Sequence, residues 1–129
     1  MKDEFGALRR AKTMLLTTYK RDGTGVGTPV SIAFGGDHAY FRSYDKAWKS
    51  RRLRRNPQVD VAPSDFRGNI TGQHLHGTAR LLEGEEAGAA SRALARRHPL
   101  LHGMVVPLMH RVRGYQTLHY ELSAGPRPS

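Results

Sequence analysis

At 129 residues, with 38% hydrophobic and 8% aromatic side chains, the chain has room for one domain with a modest core, and so lean a core invites a second subunit to complete it. It contains no cysteine, which excludes disulfides, thiolate metal sites and a cysteine nucleophile and suits a reducing cytosol. A formal charge of +10 calls for an anionic partner: nucleic acid, an acidic membrane face or an anionic ligand.

The amino terminus, MKDEFGALRR, lacks the pattern of a signal peptide, and no apolar run approaches the roughly 18 residues that cross a bilayer, so a soluble cytoplasmic protein is expected. Residues 2–12 read as a short amphipathic helix with Phe5, Leu8 and Ala11 on one side, weakened by Gly6. TMLLTTYK (13–20) reads as a buried strand and Asp22-Gly23 as a hairpin turn. The second strand, 26–34, contains Pro29, which requires an edge, a bulge or a place where the ladder opens. Gly35-Gly36-Asp37 turns the chain into a third strand, 38–44.

A basic helix follows, with Ser50 or Asp45 as its cap and Asn56-Pro57 as its stop. Residues 58–65 alternate as a strand until Pro63 breaks it. FRGN (66–69) is a turn, and 70–82 a long strand that Gly72 and Gly77 bend, as a closed barrel needs. From Glu83 to Arg97 acids lead and arginines follow, which matches a helix dipole. Residues 100–114 read as a mobile loop with a helical turn. The last strand, 115–123, puts Leu118, Tyr120 and Leu122 on one face. Six strands joined mostly by short turns make a mainly β fold, a small antiparallel barrel with flanking helices; the turns are too short for parallel crossovers. One domain is expected over 1–123, with a disordered tail at 124–129.

Six cations lie between Lys46 and Arg55, with no carboxylate before Asp60. Arg42 and Ser43 leave the third strand just ahead of Lys46, Lys49, Arg51 and Arg52. That set offers the hydroxyl, helix-start amides and converging charges that a phosphate wants. A solvated charged face is the plain alternative. Trp48, Tyr44 and Phe66 among arginines would also suit stacking on single-stranded nucleic acid, although no helix-turn-helix, zinc-finger or RNP-like pattern occurs. His74 and His76 share one strand face, and the glycines beside them would admit a planar ligand. His98 and His102 are separated by Pro99 and have no third ligand nearby, so no metal site is expected. Nucleophile elbow and Walker loop are both missing, and Gly23–Gly27 is a hairpin turn.

In this order, LLTTYKRDGTGVGTPVSIAF and AYFRSYDKAWKSRRLRRNPQVDVAPSDFRGNITGQHLHGTARLL resemble the split β-barrel flavin and deazaflavin family. That family includes the pyridoxamine-phosphate-oxidase-like proteins and their F420-dependent relatives. The likeness runs from about Ala11 to Arg97. It implies a six-stranded antiparallel split β-barrel, homodimeric, with two cofactor sites at the subunit interface and a small-molecule substrate. Carried over by position, Thr28, Pro29, Val30 and Ser31 lie beside the cofactor ring. Arg42 and Ser43, with Lys49, Arg51 and Arg52, hold its phosphate. Pro63 and Ser64 flank the ring, and His74 completes the pocket with the other subunit. The chain departs from the family pattern at Tyr44–Trp48 and matches it poorly over 98–115, so substrate identity does not transfer.

FMN ends in one phosphate monoester, whereas coenzyme F420 carries a phosphodiester and a carboxylate-bearing tail. The long run of cations suits the longer anion. F420 therefore implies hydride transfer between the deazaflavin C5 and an unsaturated organic substrate. An FMN-binding oxidase or flavoprotein is the alternative, and a non-catalytic cofactor- or nucleic-acid-binding module stands for another class. Arg42 is the one candidate for electrostatic assistance, and Arg54 and Arg55 are expected to be solvated.

Overall fold

A computed structural model describes residues 5–36, 38–44, 47–98 and 117–125. A 3-10 turn (Gly6–Arg10) leads into β1 (Thr13–Tyr19), β2 (Gly25–Gly35) and β3 (His38–Tyr44). Helix α1 (Trp48–Arg55) precedes β4 (Gln58–Ser64) and β5 (Leu75–Leu82), and α2 (Gly84–Arg97) precedes β6 (Thr117–Ala124). The six strands close in the order β1-β2-β3-β6-β5-β4, every pair antiparallel. This is the expected mainly β barrel with flanking helices.

Alternation builds its interior. Along β1 every second residue is buried, so Met14, Leu16 and Thr18 point inward. Met14 and Leu16 meet Ile32, Phe41, Val59, Val61 and Leu122 in one core, where the Phe41 and Tyr120 rings stack 5.0 Å apart. A smaller cluster lies outside the barrel, where α2 sets Ala90, Ala93 and Leu94 against Ala33, Tyr40 and Leu82.

The barrel is split at β2. Gly25–Ser31 pairs with β1, whereas Ile32–Gly35 pairs with β3. Among the described residues the first half of β2 therefore keeps one edge unpaired, and Pro29 sits in that half as its missing N–H demands. The handover residue is pinned: the Ile32 N–H donates to the Lys12 carbonyl (3.1 Å) and the Ile32 carbonyl faces His98 Nε2 (3.0 Å).

Several boundaries differ from expectation. The helix over 2–12 shrinks to the 3-10 turn at 6–10, where Gly6 takes φ +52°; residues 1–4 lie outside the described residues. Ser50 does not cap α1. Ala47 holds that position without a side-chain bond, and Ser50 is buried within the helix. Asp45 is outside the described residues. Pro63 does not break β4, which runs on to Ser64 with Pro63 opposite Met14. Pairing to β5 has already ended at Val61, so no ladder donor is needed there.

The long strand over 70–82 is really β5 from Leu75 onward, preceded by a single bridge between Ile70 and Ser64. The Thr71 N–H turns to the Pro63 carbonyl (2.8 Å) instead of a ladder. A Cβ on Gly72 would come within 2.9 Å of Pro63 Cγ, and one on Gly77 within 2.6 Å of the Ser123 carbonyl oxygen. Gly77 thus admits β6, not a planar ligand. Ala124 belongs to β6 instead of the tail. The loop expected at 100–114 and the tail beyond Gly125 fall outside the described residues.

Candidate functional site

Helix α1 lies on the barrel by one narrow face. Leu53 enters the main core, and Ser50 Oγ donates to Ser43 Oγ of β3 at 2.9 Å. Both hydroxyls are buried, Ser50 at 0% and Ser43 at 2% exposure. With positions 50 and 53 turned inward, the helical period leaves Trp48, Lys49, Arg51, Arg52 and Arg55 to face the β1–β2 hairpin. Between the two lies a cleft of about 1070 Å³, lined by those five, Ala47, and Lys20, Arg21, Val26 and Thr28 of the hairpin. Six of the ten lining residues are Lys or Arg and none is acidic.

The arginines are held in place. Arg52 Nε donates to the buried Thr18 Oγ1 at 2.6 Å, and Arg55 Nη2 to the Tyr19 carbonyl at 3.2 Å. The Arg51 guanidinium lies 4.8 Å over the ring of Trp48, which is itself 68% exposed at the cleft mouth. Lys49 is half-buried and makes no hydrogen bond or ion pair among the described residues. Burial first, and the Arg52 charge second, pull its ammonium below the ordinary lysine range. Burial and Arg55 act on Arg52 in the same direction. Thr28 Oγ1 is buried with no hydrogen-bond partner among the described residues. Cations with no acidic residue among the lining share this cleft with Thr28, and an anion relieves their mutual repulsion.

The structure brings Thr28, Lys49, Arg51 and Arg52 together in this cleft. Pro29 is exposed on the free half of β2, Val30 points into the core, and Ser31 pairs with Thr13. Ser43 serves the helix tie beneath α1. Arg42, opposite His119 in the β3–β6 ladder, does not line the cleft. Lys46 lies outside the described residues. Ser64 is buried at the end of β4 and donates to the Asp65 carbonyl at 3.0 Å. Pro63 and the exposed His74 line a separate cleft of about 440 Å³ against residues 5–8. Two groups of expected site residues therefore occupy two separate clefts of one chain.

Lys20, Arg21, Val26 and Arg55 also line the cationic cleft and were not anticipated. Lys20-Arg21 reads in the sequence as the flank of an Asp-Gly turn, and only the packing of the hairpin beside α1 gives it a role. His76 is committed elsewhere. Its Nδ1 lies 3.1 Å from Asp60 Oδ1 and its Nε2 2.7 Å from Gln58 Oε1, while the Tyr19 hydroxyl donates to Asp60 Oδ2. That network clasps β1, β4 and β5, and no metal-binding cluster occurs among the described residues.

By sequence, residues 1–119 fit the family described as pyridoxamine 5'-phosphate oxidase. The chain belongs to that family. No curated protein sequence matches it. Among solved structures, this pyridoxamine 5'-phosphate oxidase family chain is similar to HutZ, the heme storage protein from Vibrio cholerae. There the TM-score is 0.71 at 16% identity, covering 98% of this chain and 91% of that one. It is similar to a heme binding protein from Mycobacterium smegmatis, with TM-score 0.68 at 17% identity, over 95% of this chain but 49% of the other. A conserved hypothetical protein from Mycobacterium tuberculosis gives TM-score 0.68 at 20% identity, over 92% and 76%. The chain thus spans about half the length of the M. smegmatis protein, and at these identities the likeness shows the fold alone.

Proposed function

We propose that this family member is an oxidoreductase that binds coenzyme F420 in the cationic cleft and transfers hydride between its C5 and an unsaturated organic substrate. The observation that carries this reading is the lining itself: six cations and no acid. A phosphate monoester is satisfied by about two or three cations. Lys49 and Arg55 are separated by roughly 9 Å of helix rise, and Lys20-Arg21 adds charge on the opposite wall. That spread suits an anion with a phosphate and further carboxylates. FMN is the second reading, favoured by membership of the pyridoxamine 5'-phosphate oxidase family.

When bound, F420 supplies two-electron hydride chemistry at C5. The chain's own residues do the rest. Arg52 and Arg55, already anchored to β1, fix the anion without having to reorganise. Negative charge arriving beside Lys49 favours its ammonium again, against the burial and the Arg52 charge that hold it below the ordinary lysine range. Val26 gives an apolar wall, and Trp48 with Arg51 shields the mouth from water. A homodimer is part of the reading. A second subunit along the free half of β2 would bring the Pro63–Ser64 and His74 region of one protomer to Thr28–Ser31 of its partner. No helix among the described residues is long and apolar enough to cross a bilayer.

Trp48 is the only tryptophan in the chain and stands at the cleft, so its fluorescence reports binding directly. Titrations with F420, FMN, hemin and single-stranded DNA distinguish the readings. Saturable quenching by F420 at lower concentration than by FMN is the expected result. Saturation by FMN without any by F420 overturns the deazaflavin assignment in favour of the flavin. Hemin binding alone removes both, and binding of DNA alone, with steep salt dependence, identifies a nucleic-acid module.

A further inference from the structure

We infer that Lys49 is an acylation site for small anionic acyl donors of the acyl phosphate class, which the arginines around it dock by their phosphate. The inference rests on the anion-binding cleft and not on which cofactor the cleft holds. Every other side chain on the inner wall of that cleft is unsuited to the chemistry. Arg51, Arg52 and Arg55 are guanidinium groups that stay protonated, each fixed by Trp48, Thr18 or the Tyr19 carbonyl. Lys20 is an amine but is exposed on the hairpin. Lys49 is the half-buried amine among them, free of any hydrogen bond or ion pair among the described residues.

An amine attacks a carbonyl only in its neutral form, and burial together with a neighbouring cation is what favours that form in reactive lysines. Burial and Arg52 both act on Lys49 in this direction. The same surroundings assemble the reactants. With the donor's phosphate against Arg51, Arg52 and Arg55, its acyl carbon is held within the cleft beside the Lys49 amine. The step is a plain acyl transfer. The Lys49 nitrogen forms a bond to the acyl carbon, the carbon–oxygen bond to phosphate breaks, and phosphate leaves with the bonding pair. The surplus amine proton passes to solvent water. Arginine contacts to the departing phosphate stabilise the charge that develops on it.

The product has lost a positive charge and carries an acyl group into the cleft. Acylation and cofactor binding therefore compete for one space, and the state of Lys49 registers the supply of activated acyl groups.

The test uses the full chain incubated with acetyl phosphate at mildly alkaline pH, with site occupancy followed over time by peptide mass spectrometry. Lys49 is expected to acetylate at least about tenfold faster than the exposed Lys12 and Lys20. Inorganic phosphate should slow Lys49 alone. The preference should vanish with p-nitrophenyl acetate, which has no phosphate to dock, and in Arg52→Gln, or in Arg51→Gln if the first variant does not fold. Equal rates at Lys49 and Lys12, or uniform slowing of all lysines by phosphate, overturn the inference. Cofactor binding without Lys49 preference overturns this inference alone. Preference at Lys49 without binding of either cofactor sustains it and overturns the cofactor assignment instead.

Discussion

Replacing Ser50 by alanine removes a hydroxyl that sits at 0% exposure beneath α1, where it donates to Ser43 Oγ at 2.9 Å and also meets the Tyr120 hydroxyl. Two buried oxygens lose their partner at once. Leaving a buried polar group unsatisfied costs about 1–3 kcal/mol, and Ser43 recovers part of this because its hydroxyl rotates freely, so a net loss of roughly 2 kcal/mol is expected. Ser43→Ala is milder, about 1 kcal/mol, since Ser50 keeps Tyr120. The double variant should lose less than the sum of the two by about 1 kcal/mol. Equilibrium urea unfolding measures all three, and at a slope near 2 kcal/mol/M the Ser50→Ala midpoint falls by about 1 M. The sequence pattern places Ser43 on the cofactor phosphate, whereas the structure makes it a tie for the helix that carries the cations. If Ser43→Ala leaves the urea midpoint unchanged while anion affinity drops tenfold, the tie is wrong and Ser43 is a ligand.

Lys49→Ala combined with Arg51→Ala should weaken F420 or FMN binding at least about tenfold, by calorimetric titration, without lowering the urea midpoint, because neither residue holds the core. Gly77→Ala should destabilise by about 2 kcal/mol or more, since its Cβ meets backbone at Ser123 that cannot move aside, and the readout is again urea unfolding. Stability should depend on Lys49 at alkaline pH. Its folded-state pKa lies below the ordinary 10.5, so the unfolded chain binds that proton more tightly. The cofactor-free protein therefore gains stability as pH rises from the lowered value towards 10.5. Comparing urea midpoints of the wild type and Lys49→Met across that window isolates the effect, and saturating phosphate should abolish it.

The barrel was legible because local signals agreed with the global fold. Asp22-Gly23 and Gly35-Gly36 punctuate the β1–β3 meander, acids and arginines bracket α2, and Pro29 marks the place where β2 loses a neighbour. The misplaced boundaries arise where a residue type admits two structural uses. Pro63 ends most ladders, yet it stands in β4 because β5 has already left. Residues 70–74 have strand composition, but the Thr71 amide is claimed by Pro63. The cationic helix was equally visible as a run of charge, and Lys49, Arg51 and Arg52 do share one cleft with Thr28. The direction in which that helix faces was not visible, because Leu53 sets it through a core contact distant in sequence. From this follow both the burial of Ser43 and the arrival of Lys20, Arg21 and Arg55. A serine beside a basic helix reads the same whether it binds an anion or supports the helix; only the rotation of α1 decides.

The handover at Ile32 also bears on the mechanics of the molecule. With its N–H bonded to Lys12 and its carbonyl facing His98 Nε2, that residue is clamped from two sides. Among the described residues the chain before it lies in a ladder with β1 alone, and the hairpin bearing Lys20 and Arg21 is braced a second time where Arg52 and Arg55 hold Thr18 and Tyr19 and the Tyr19 hydroxyl reaches Asp60. The opposite wall, α1, is bolted down by Ser50 and Leu53. The two walls of the cleft are thus cross-braced at their base, and its width is set by the barrel and these ties together.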